Sequence, residues 1–386
     1  MSSPETKKLL IVQSYIPAYR EAFFRKLRSA LMDQGIDMRL IAGEPHGTQA
    51  MRGDRTSVTI SDGPLRSRSA TLAKRNLTLR SIREEVKEYA PDGIIVEQAI
   101  KHLEIYPLLF RQILSSQPQV AMWGQGRTFS TQQGATAARF KDWATKQSKW
   151  FFSYTEEGAQ YLASRGYDSS RISVLNNTVD TEALRGHLAD VSEADVKHFR
   201  KEHSLVPGRT ALFLGGVDAA KGIAFLLDSV ERISAELEGF RLLIAGAGSE
   251  VALVKRREKE NASITYLGRV DGREKALALR ACDLMLIPQW VGLVAVDSLV
   301  AGRPIVTTHH PSHSPEFSYL TPGRNAVIVK HDPARYADAV CNLLGETHRL
   351  SGMQTNCVED SASISMASMV SAFVSGSRSW LYGNSP

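Results

Sequence analysis

The sequence lacks the long apolar segments from which membrane-spanning helices are built. No run of about eighteen apolar residues occurs, so no transmembrane helix is predicted. The first residues pass at Leu9 into a strand-like run without the apolar core of a secretory signal. Cysteine is scarce, and Cys282, Cys341 and Cys357 are too widely spaced for a metal motif or a disulfide framework. These absences predict a protein of the reducing cytoplasm.

The balance of charge is basic, with 47 Lys and Arg against 41 Asp and Glu. Each basic side chain alone is typical of a solvated surface, but together those of the first third predict an anionic partner such as a diphosphate or a phospholipid. Nucleic acid ranks last, because zinc-finger spacing, basic-region heptads and an RNP signature are all missing. With Phe23, Phe24 and Leu27 on the first helix, the cluster predicts weak, salt-sensitive contact with anionic membranes. Its members are Arg25, Lys26, Arg28, Arg52, Arg55, Arg66, Arg68, Lys74, Arg75, Arg80 and Arg83.

Strand-like apolar runs alternate with helical patterns along the chain. The first series extends from residues 9–13 to residues 172–175, and a second begins at residue 211, after a polar stretch that ends at Pro207-Gly208. Strands that alternate with helices are typical of parallel sheets in α/β domains. We therefore expect two Rossmann-like domains that face a central cleft, an N-terminal one over residues 1–190 and a C-terminal one over residues 205–364.

Two glycine-rich turns follow strands of the second series. Gly215 and Gly216 precede a helix that opens with Lys221, and Gly246 lies in the second turn. Glycine lets backbone approach a ligand closely, and the amides at a helix N-terminus favour anions. The first turn is either a diphosphate cradle or a tight turn with a surface lysine. The second turn lacks the third glycine of a dinucleotide fingerprint, since Val251 stands there.

Residues 288–304 hold the most informative pattern. Gly292-Leu293 follows a buried strand and should begin a helix with free amides. Asp297 falls one turn later, where a carboxylate can accept two hydrogen bonds from a vicinal diol such as ribose. The alternative is a helix that carries one polar residue.

In order and spacing these motifs resemble the retaining family-4 glycosyltransferases of the GT-B fold, over nearly all of residues 120–330. Those enzymes carry a Glu, then Gly-Phe-Gly-Leu, then a second Glu, and Gln289 and Asp297 stand at the two acidic positions. Lys221 matches the diphosphate-binding lysine of the family, but Gly216 replaces its usual arginine. Leu267, Gly268 and Arg269 lie in a segment similar to the one that contacts the nucleotide base.

The first domain resembles the family more loosely. Trp123–Arg127 is similar to a Trp-Gly-His-Gly turn of some bacterial polysaccharide transferases, which implies roles near the transferred sugar for Gln125 and Arg127. The resemblance further implies acceptor contacts for Tyr19, Arg20 and Glu97. A last helix over residues 365–386 has apolar residues at helical spacing, and in the family this helix crosses back to the N-terminal domain.

The resemblance implies an active transferase in bacterial polysaccharide assembly, cytoplasmic and peripheral on the inner face of the membrane. It needs no metal and no cofactor besides its UDP-, GDP- or dTDP-linked sugar, and it acts on a glycan or a polyprenyl-diphosphate-linked acceptor. The catalytic group would be Gln125, Arg127, Lys221 and Gln289. The substitutions at Gly216, Gln289 and Asp297 indicate either a divergent branch with a different donor or a loss of activity, and in the second case a non-catalytic paralogue that binds a partner transferase. A nucleotide-sugar epimerase shares the fold and is the other alternative, although no acid/base pair in the sequence favours it.

Overall fold

The computed structural model describes residues 5–45, 60–72, 75–99, 101–115, 117–126 and 135–383. The chain divides into two compact units, residues 1–177 with 366–386 and residues 178–365. The predicted α/β class with parallel sheets is confirmed. The division falls earlier than the sequence pattern indicates, because residues 178–190 belong to the second unit, where Leu184 lies in the core.

The first unit is built on a seven-stranded parallel sheet with the order β3-β2-β1-β6-β7-β8-β9, and β4 and β5 form a separate antiparallel hairpin. Its strands are β1 Lys7–Gln13, β2 Ile36–Ala42, β3 Gly63–Pro64, β4 Arg66–Leu72, β5 Arg75–Ser81, β6 Gly93–Glu97, β7 Gln119–Gly124, β8 Trp150–Ser153 and β9 Ile172–Val174. Its described helices are α1 Glu21–Met32, α2 Arg83–Tyr89, α3 Ile105–Ser115, α4 Ala135–Gln147, α5 Glu156–Ser164 and, from the end of the chain, the last helix Met366–Tyr382.

Alternate residues of β1 enter two different cores. Leu9 and Ile11 join one apolar cluster, whereas Leu10 and Val12 join the other. Successive side chains of a strand point to opposite faces, so the sheet is buried on both sides, as a parallel sheet requires.

The apolar face of α1 lies in the core of the first unit. Phe23, Phe24 and Leu27 are at most 2% exposed, and Phe23 packs edge-on against Phe373 of the last helix at 5.7 Å between ring centroids. The prediction that these residues of the first helix contact a membrane is therefore wrong, because a segment far away in sequence covers them.

The second unit repeats the architecture with a six-stranded parallel sheet of order β12-β11-β10-β13-β14-β15. Its strands are β10 Thr210–Leu214, β11 Arg241–Ala245, β12 Ile264–Gly268, β13 Leu284–Leu286, β14 Ile305–Thr308 and β15 Ala326–Val329. Its helices are α6 Thr181–Asp190, α7 Glu193–Glu202, α8 Ile223–Glu236, α9 Val251–Glu260, α10 Gly272–Ala281, α11 Val294–Ala301, α12 Pro333–Gly345 and α13 Thr347–Asp360. The last helix of the first unit, Met366–Tyr382, is α14.

In each sheet the strand order changes direction at the first strand: the next two strands lie on one side of it, and the later strands lie on the other side. In the second unit β10 pairs with β11 on one side and with β13 on the other, and all three are parallel. The carboxyl ends of strands at such a switch point are where α/β sheets bind ligands. Among the described residues, no helix has both the length and the apolarity needed to cross a bilayer.

Candidate functional site

Backbone hydrogen bonds join three turns at the carboxyl ends of β10, β11 and β12. The amide of Gly215 donates to Ala245 O at 3.0 Å, and the amide of Gly246 donates to Gly268 O at 2.7 Å. Gly246 has φ +151°, and a Cβ there would lie 1.8 Å from Gly215 O. Only glycine fits at this position, so the turns can approach one another without side chains between them.

Asp218 holds the first two turns together from the side. Its Oδ1 accepts hydrogen bonds from the amide of Ser249 at 3.0 Å and from the Ser249 hydroxyl at 3.2 Å. Gly216, which replaces the arginine of the resembling enzymes, lies next to this carboxylate, since a Cβ on Gly216 would stand 2.9 Å from Asp218 Oδ2. The first turn therefore supplies Lys221 as its cation, without a neighbouring arginine at position 216.

Lys221 reaches from the β10 turn to the loop after β13. It ends a short 3-10 turn before Gly222, and its Nζ donates to Trp290 O at 2.6 Å. The ammonium thus lies between two βα loops on either side of the switch point. This position suits a cation that faces a phosphate group.

Trp290 adopts a left-handed conformation, with φ +47°. It stands at the first glycine of the family's Gly-Phe-Gly-Leu, and its backbone shows why glycine suits this position. A left-handed residue with a side chain costs about 1–2 kcal/mol. The same turn presents the carbonyl to Lys221 and leaves the indole 39% exposed.

Gln289 is held by a histidine that the sequence reasoning missed. The Nε2 atoms of Gln289 and His331 are 3.0 Å apart, and His331 Nδ1 lies 3.1 Å from Thr308 Oγ1. The Thr308 hydroxyl donates to Pro288 O, so His331 Nδ1 is the donor to Thr308 and its Nε2 accepts from the Gln289 amide. This arrangement leaves Gln289 Oε1 as the acceptor that a ligand can use.

A buried neutral histidine fixes the peptide between Trp290 and Val291. His313 Nδ1 accepts from the amide of Val291 at 3.0 Å, and its Nε2 donates to Thr308 O at 2.8 Å. Burial lowers the pKa of His313 to about 4, which keeps the ring neutral and able to accept. Helix α11 starts directly after Gly292 and Leu293 with no side-chain cap. The amides of Ala295 and Val296 already donate to Gly292 O and Leu293 O, so among the described residues the amides that this helix start offers an anion are those of Gly292, Leu293 and Val294.

Asp297 lies in the first turn of α11 and is 7% exposed. Its Oδ1 contacts Lys275 Nζ of α10 at 2.6 Å. One oxygen of this carboxylate is therefore engaged in an ion pair, whereas the predicted contact with a diol would use both oxygens. Sequence reasoning missed Lys275, although a buried carboxylate requires a counter-charge or hydrogen bonds.

The predicted base-contact segment closes the other side of the glycine turns. Tyr266 Oη donates to Gly246 O at 2.8 Å, and Gly268 has φ +74°. Leu267 is partly buried and Arg269 is exposed. These residues lie at the end of β12, beside the turns that hold Gly215 and Gly246.

The carboxyl ends of β1 and β6 in the first unit hold a network of charged side chains. Glu97 Oε2 accepts from the Ser14 hydroxyl at 2.5 Å and from Arg80 Nη1 at 2.7 Å, and Arg80 Nε donates to Glu104 at 2.6 Å. Burial alone would raise the pKa of Glu97, but Arg80 and His102 lower it below its usual value. Burial and Arg80 lower the pKa of His102 to about 4. Glu97, the predicted acceptor contact, is therefore part of an ion-pair network.

The other predicted residues of the first unit are dispersed over several environments. Arg20 is buried, with its guanidinium 4.4 Å from the centroid of the Trp123 ring and its Nη2 donating to Asn177 at 2.9 Å. Tyr19 is 39% exposed. Gln125 follows β7, and Arg127 lies outside the described residues. Within the described ranges, no group of three or more His, Cys, Asp or Glu side chains could hold a metal ion.

The two Rossmann-like units define the class of the protein, which is the GT-B fold. Anabaena Alr3699/HepE in complex with UDP and glucose matches 97% of this chain and 100% of its own, with TM-score 0.67 and 14% identity. The UDP-GlcNAc 2-epimerase of Methanocaldococcus jannaschii matches 86% of this chain and 91% of its own, with TM-score 0.55 and 16% identity. At these identities the likeness establishes the fold alone.

Residues 208–346 match the family described as "Glycosyl transferases group 1". This match lies within the second unit, residues 178–365. The phosphatidyl-myo-inositol mannosyltransferase of Mycobacterium leprae is 32% identical over 147 residues, which are 36% of this chain and 37% of that protein. The D-inositol 3-phosphate glycosyltransferase 2 of Catenulispora acidiphila is 28% identical over 224 residues, or 54% of this chain and 50% of that protein. The matched parts thus span half or less of the length of these two relatives.

Proposed function

We propose that the protein is a glycosyltransferase that binds a nucleotide sugar at the switch point of the second unit. The observation that carries the proposal is the convergence there of glycine turns joined through their backbones, Lys221 and the uncapped start of α11. Together they provide a cation and amide donors without intervening side chains, which is the chemistry that a diphosphate requires.

Transfer of the sugar leaves negative charge on the diphosphate. Lys221 Nζ and the amides of Gly292, Leu293 and Val294 would stabilise this charge as it develops, in the place that a metal ion takes in other enzymes. We therefore propose a metal-independent reaction, with retention of configuration by similarity to the retaining enzymes. Gln289 Oε1, oriented by His331, would accept a hydrogen bond from the sugar.

Asp297 would share its carboxylate between Lys275 and the ribose. Lys275 occupies Oδ1, and Oδ2 would accept from a ribose hydroxyl. Leu267, Gly268 and Arg269 would lie along the base. The donor is a UDP-, GDP- or dTDP-linked sugar.

The first unit would bind the acceptor through Tyr19, Arg20 and Glu97, with Gln125 and Arg127 near the transferred sugar. The acceptor is a glycan or a polyprenyl-diphosphate-linked glycan of bacterial polysaccharide assembly. The relatives are named for inositol-containing substrates, one of them a lipid, which supports a phosphorylated or lipid-linked acceptor. An acceptor of this kind would place the protein in the cytoplasm, at the inner face of the membrane.

The direct test is titration calorimetry of wild type and Lys221→Ala with UDP-, GDP- and dTDP-sugars. One donor should bind selectively to wild type, and the variant should bind it more weakly by about 1.5–3 kcal/mol, the value for a charge-assisted hydrogen bond. Lys259→Ala, an exposed lysine of the same unit, should bind as wild type does. An unchanged dissociation constant for Lys221→Ala would remove the lysine from the diphosphate site.

Product analysis separates the alternatives. A transferase releases the nucleoside diphosphate from its donor, whereas an epimerase returns an isomeric nucleotide sugar. Absence of binding to every sugar nucleotide at millimolar concentration would instead favour the non-catalytic paralogue.

A further inference from the structure

Helix α3 of the first unit presents a row of uncovered apolar side chains. Phe110 and Ile113 are each 57% exposed, and Leu114 is 86% exposed. Their spacing of three and four residues places them on one face, while Leu108 and Leu109 enter the core. The exposed face therefore has no structural role in the core of this unit.

The uncovered surface continues onto α4 through stacked aromatic rings. The ring of Tyr106 lies 5.3 Å from that of Phe140, which is stacked on Trp143 at 5.5 Å. Phe140 is 46% exposed and Trp143 is 40% exposed. Contiguous apolar patches of this kind mark interaction sites, unlike isolated apolar side chains. We call the set Phe110, Ile113, Leu114, Phe140 and Trp143 the apolar ridge.

A basic cavity adjoins the ridge. It has a volume of about 710 Å³ and is lined by the β4–β5 hairpin, the start of α2 and one face of α3. Arg66, Arg68, Arg83 and Arg111 line it as exposed side chains. In the described part of the chain, none of these four arginines pairs with a carboxylate, whereas the buried Arg80 beside them pairs with Glu97 and Glu104. We call these four residues the arginine group.

Arg111 connects the two features, because it directly follows Phe110 on α3 and also lines the cavity. Guanidinium groups bind phosphate oxygens in a bidentate geometry. Exposed aromatic and aliphatic side chains beside basic residues are typical of helices that lie in a membrane interface. The two kinds of side chain match the two parts of a phospholipid, since the ridge suits the acyl boundary and the arginine group suits the headgroup phosphates.

We propose that the apolar ridge and the arginine group form one surface that docks on an anionic bilayer. Nucleic acid would use the arginines but leave Ile113 and Leu114 without a partner. The surface replaces the first helix as the point of membrane contact. Its docking does not depend on the proposed transfer reaction, so the two proposals can fail separately.

The test is co-sedimentation, without nucleotide, with vesicles of phosphatidylcholine alone or mixed in equal parts with phosphatidylglycerol. Wild type should bind the mixed vesicles at low salt and lose binding at high salt. Arg66→Gln/Arg68→Gln should weaken the partition about 25-fold, or about fivefold for each basic residue near the surface. Ile113→Ser/Leu114→Ser should weaken it at least about tenfold through lost apolar burial.

Matched variants far from this surface control for charge and for apolar exposure. Arg232→Gln/Arg256→Gln removes two exposed arginines of the second unit, and Val358→Ser removes an exposed apolar side chain. Both should bind vesicles as wild type does, and so should Lys221→Ala. Equal binding to neutral and mixed vesicles, or full binding by both surface variants, would overturn the proposal. Arginine-dependent binding of RNA without vesicle binding would assign the arginine group to nucleic acid instead.

Discussion

The two units use the same strand order in different ways. At the switch point of the second unit, the strands end in glycine turns joined through backbone amides and carbonyls, around Gly215 and Gly246. At the corresponding ends of β1 and β6 in the first unit, charged side chains form an ion-pair network, with Arg80 between Glu97 and Glu104. The same scaffold thus provides backbone amides for an anion where its turns are glycine, and side-chain ion pairs, with two carboxylates to one arginine, where the strand ends carry charge.

The largest effect should come from a methyl group placed between the glycine turns. Gly246→Ala would put Cβ at 1.8 Å from Gly215 O in a backbone conformation that alanine does not adopt. We expect the free energy of unfolding of the second unit to fall by more than about 5 kcal/mol, the extreme of the range for single substitutions, or the unit not to fold. Hydrogen exchange should show the loss in residues 178–365.

Gly268→Ala is the matched control for Gly246→Ala. Gly268 also has positive φ, at +74°, but a Cβ there meets no atom within 4 Å. Its cost should be about 1–2 kcal/mol, for left-handed backbone alone. Equal losses of unfolding free energy at the two positions would show that the close approach of the turns does not contribute to the effect of Gly246→Ala.

The first unit should be most sensitive to the loss of its central cation. Arg80→Met leaves Glu97 and Glu104 without their buried partner, and breaking such a pair costs about 3–5 kcal/mol. Urea denaturation followed by the tryptophan fluorescence of Trp123 and Trp150 measures this loss. Arg25→Met removes an exposed pair with Glu21 and should change stability by less than about 0.5 kcal/mol. A small effect at Arg80 would mean that the network is not what distinguishes the two units.

Acid should weaken the second unit through His313. Its pKa is about 4 in the folded protein against 6.5 normally, so the unfolded chain binds the proton more readily. The stabilisation is complete above pH 6.5 and is lost as the pH falls towards 4, by up to about 3 kcal/mol. His313→Gln should flatten this dependence, as measured by hydrogen exchange in residues 178–365 across that range. If the stability of the variant depends as steeply on pH, the pH dependence comes from groups other than His313.

Trp290 should give the smallest effect, with the opposite sign. Trp290→Gly removes a side chain from a left-handed position and should raise stability by about 0.5–1 kcal/mol, measured as the melting temperature. Trp143→Gly, in the middle of α4, should instead lower it by about 1 kcal/mol. If Trp290→Gly is also destabilising, the indole packs well enough to offset its backbone cost.

The sequence predicts most strands of the two parallel sheets because these strands are short apolar runs between turns. The run predicted at residues 9–13 is found as Lys7–Gln13, and the run at 211–214 as Thr210–Leu214. The β4–β5 hairpin was not predicted, since its arginine-rich sequence, Arg66–Leu72 and Arg75–Ser81, lacks that apolar signal. Without the hairpin, the pairing of Arg80 with Glu97 could not be anticipated.

The sequence alone indicates the site residues that lie within a single turn, but not the contacts between separate elements. Lys221 could be proposed from the turn that contains it, but its contact with Trp290 O depends on how two loops meet. The partners Lys275 and His331 come from separate elements, and only packing brings them to Asp297 and Gln289. Likewise, periodicity shows that α1 has an apolar face but not that α14 covers it.

The return of α14 to the first unit affects the order of events during synthesis. Residues 178–365 leave the ribosome in full before residues 366–382 appear, although the second unit is encoded after most of the first. Until then Phe23, Trp123 and Phe152 lack their packing partner Phe373. The nascent first unit therefore has an uncovered apolar face during the time in which the second unit can already fold. Such a face is a binding site for chaperones and a starting point for aggregation, so a ribosome that stalls before residue 366 would expose it.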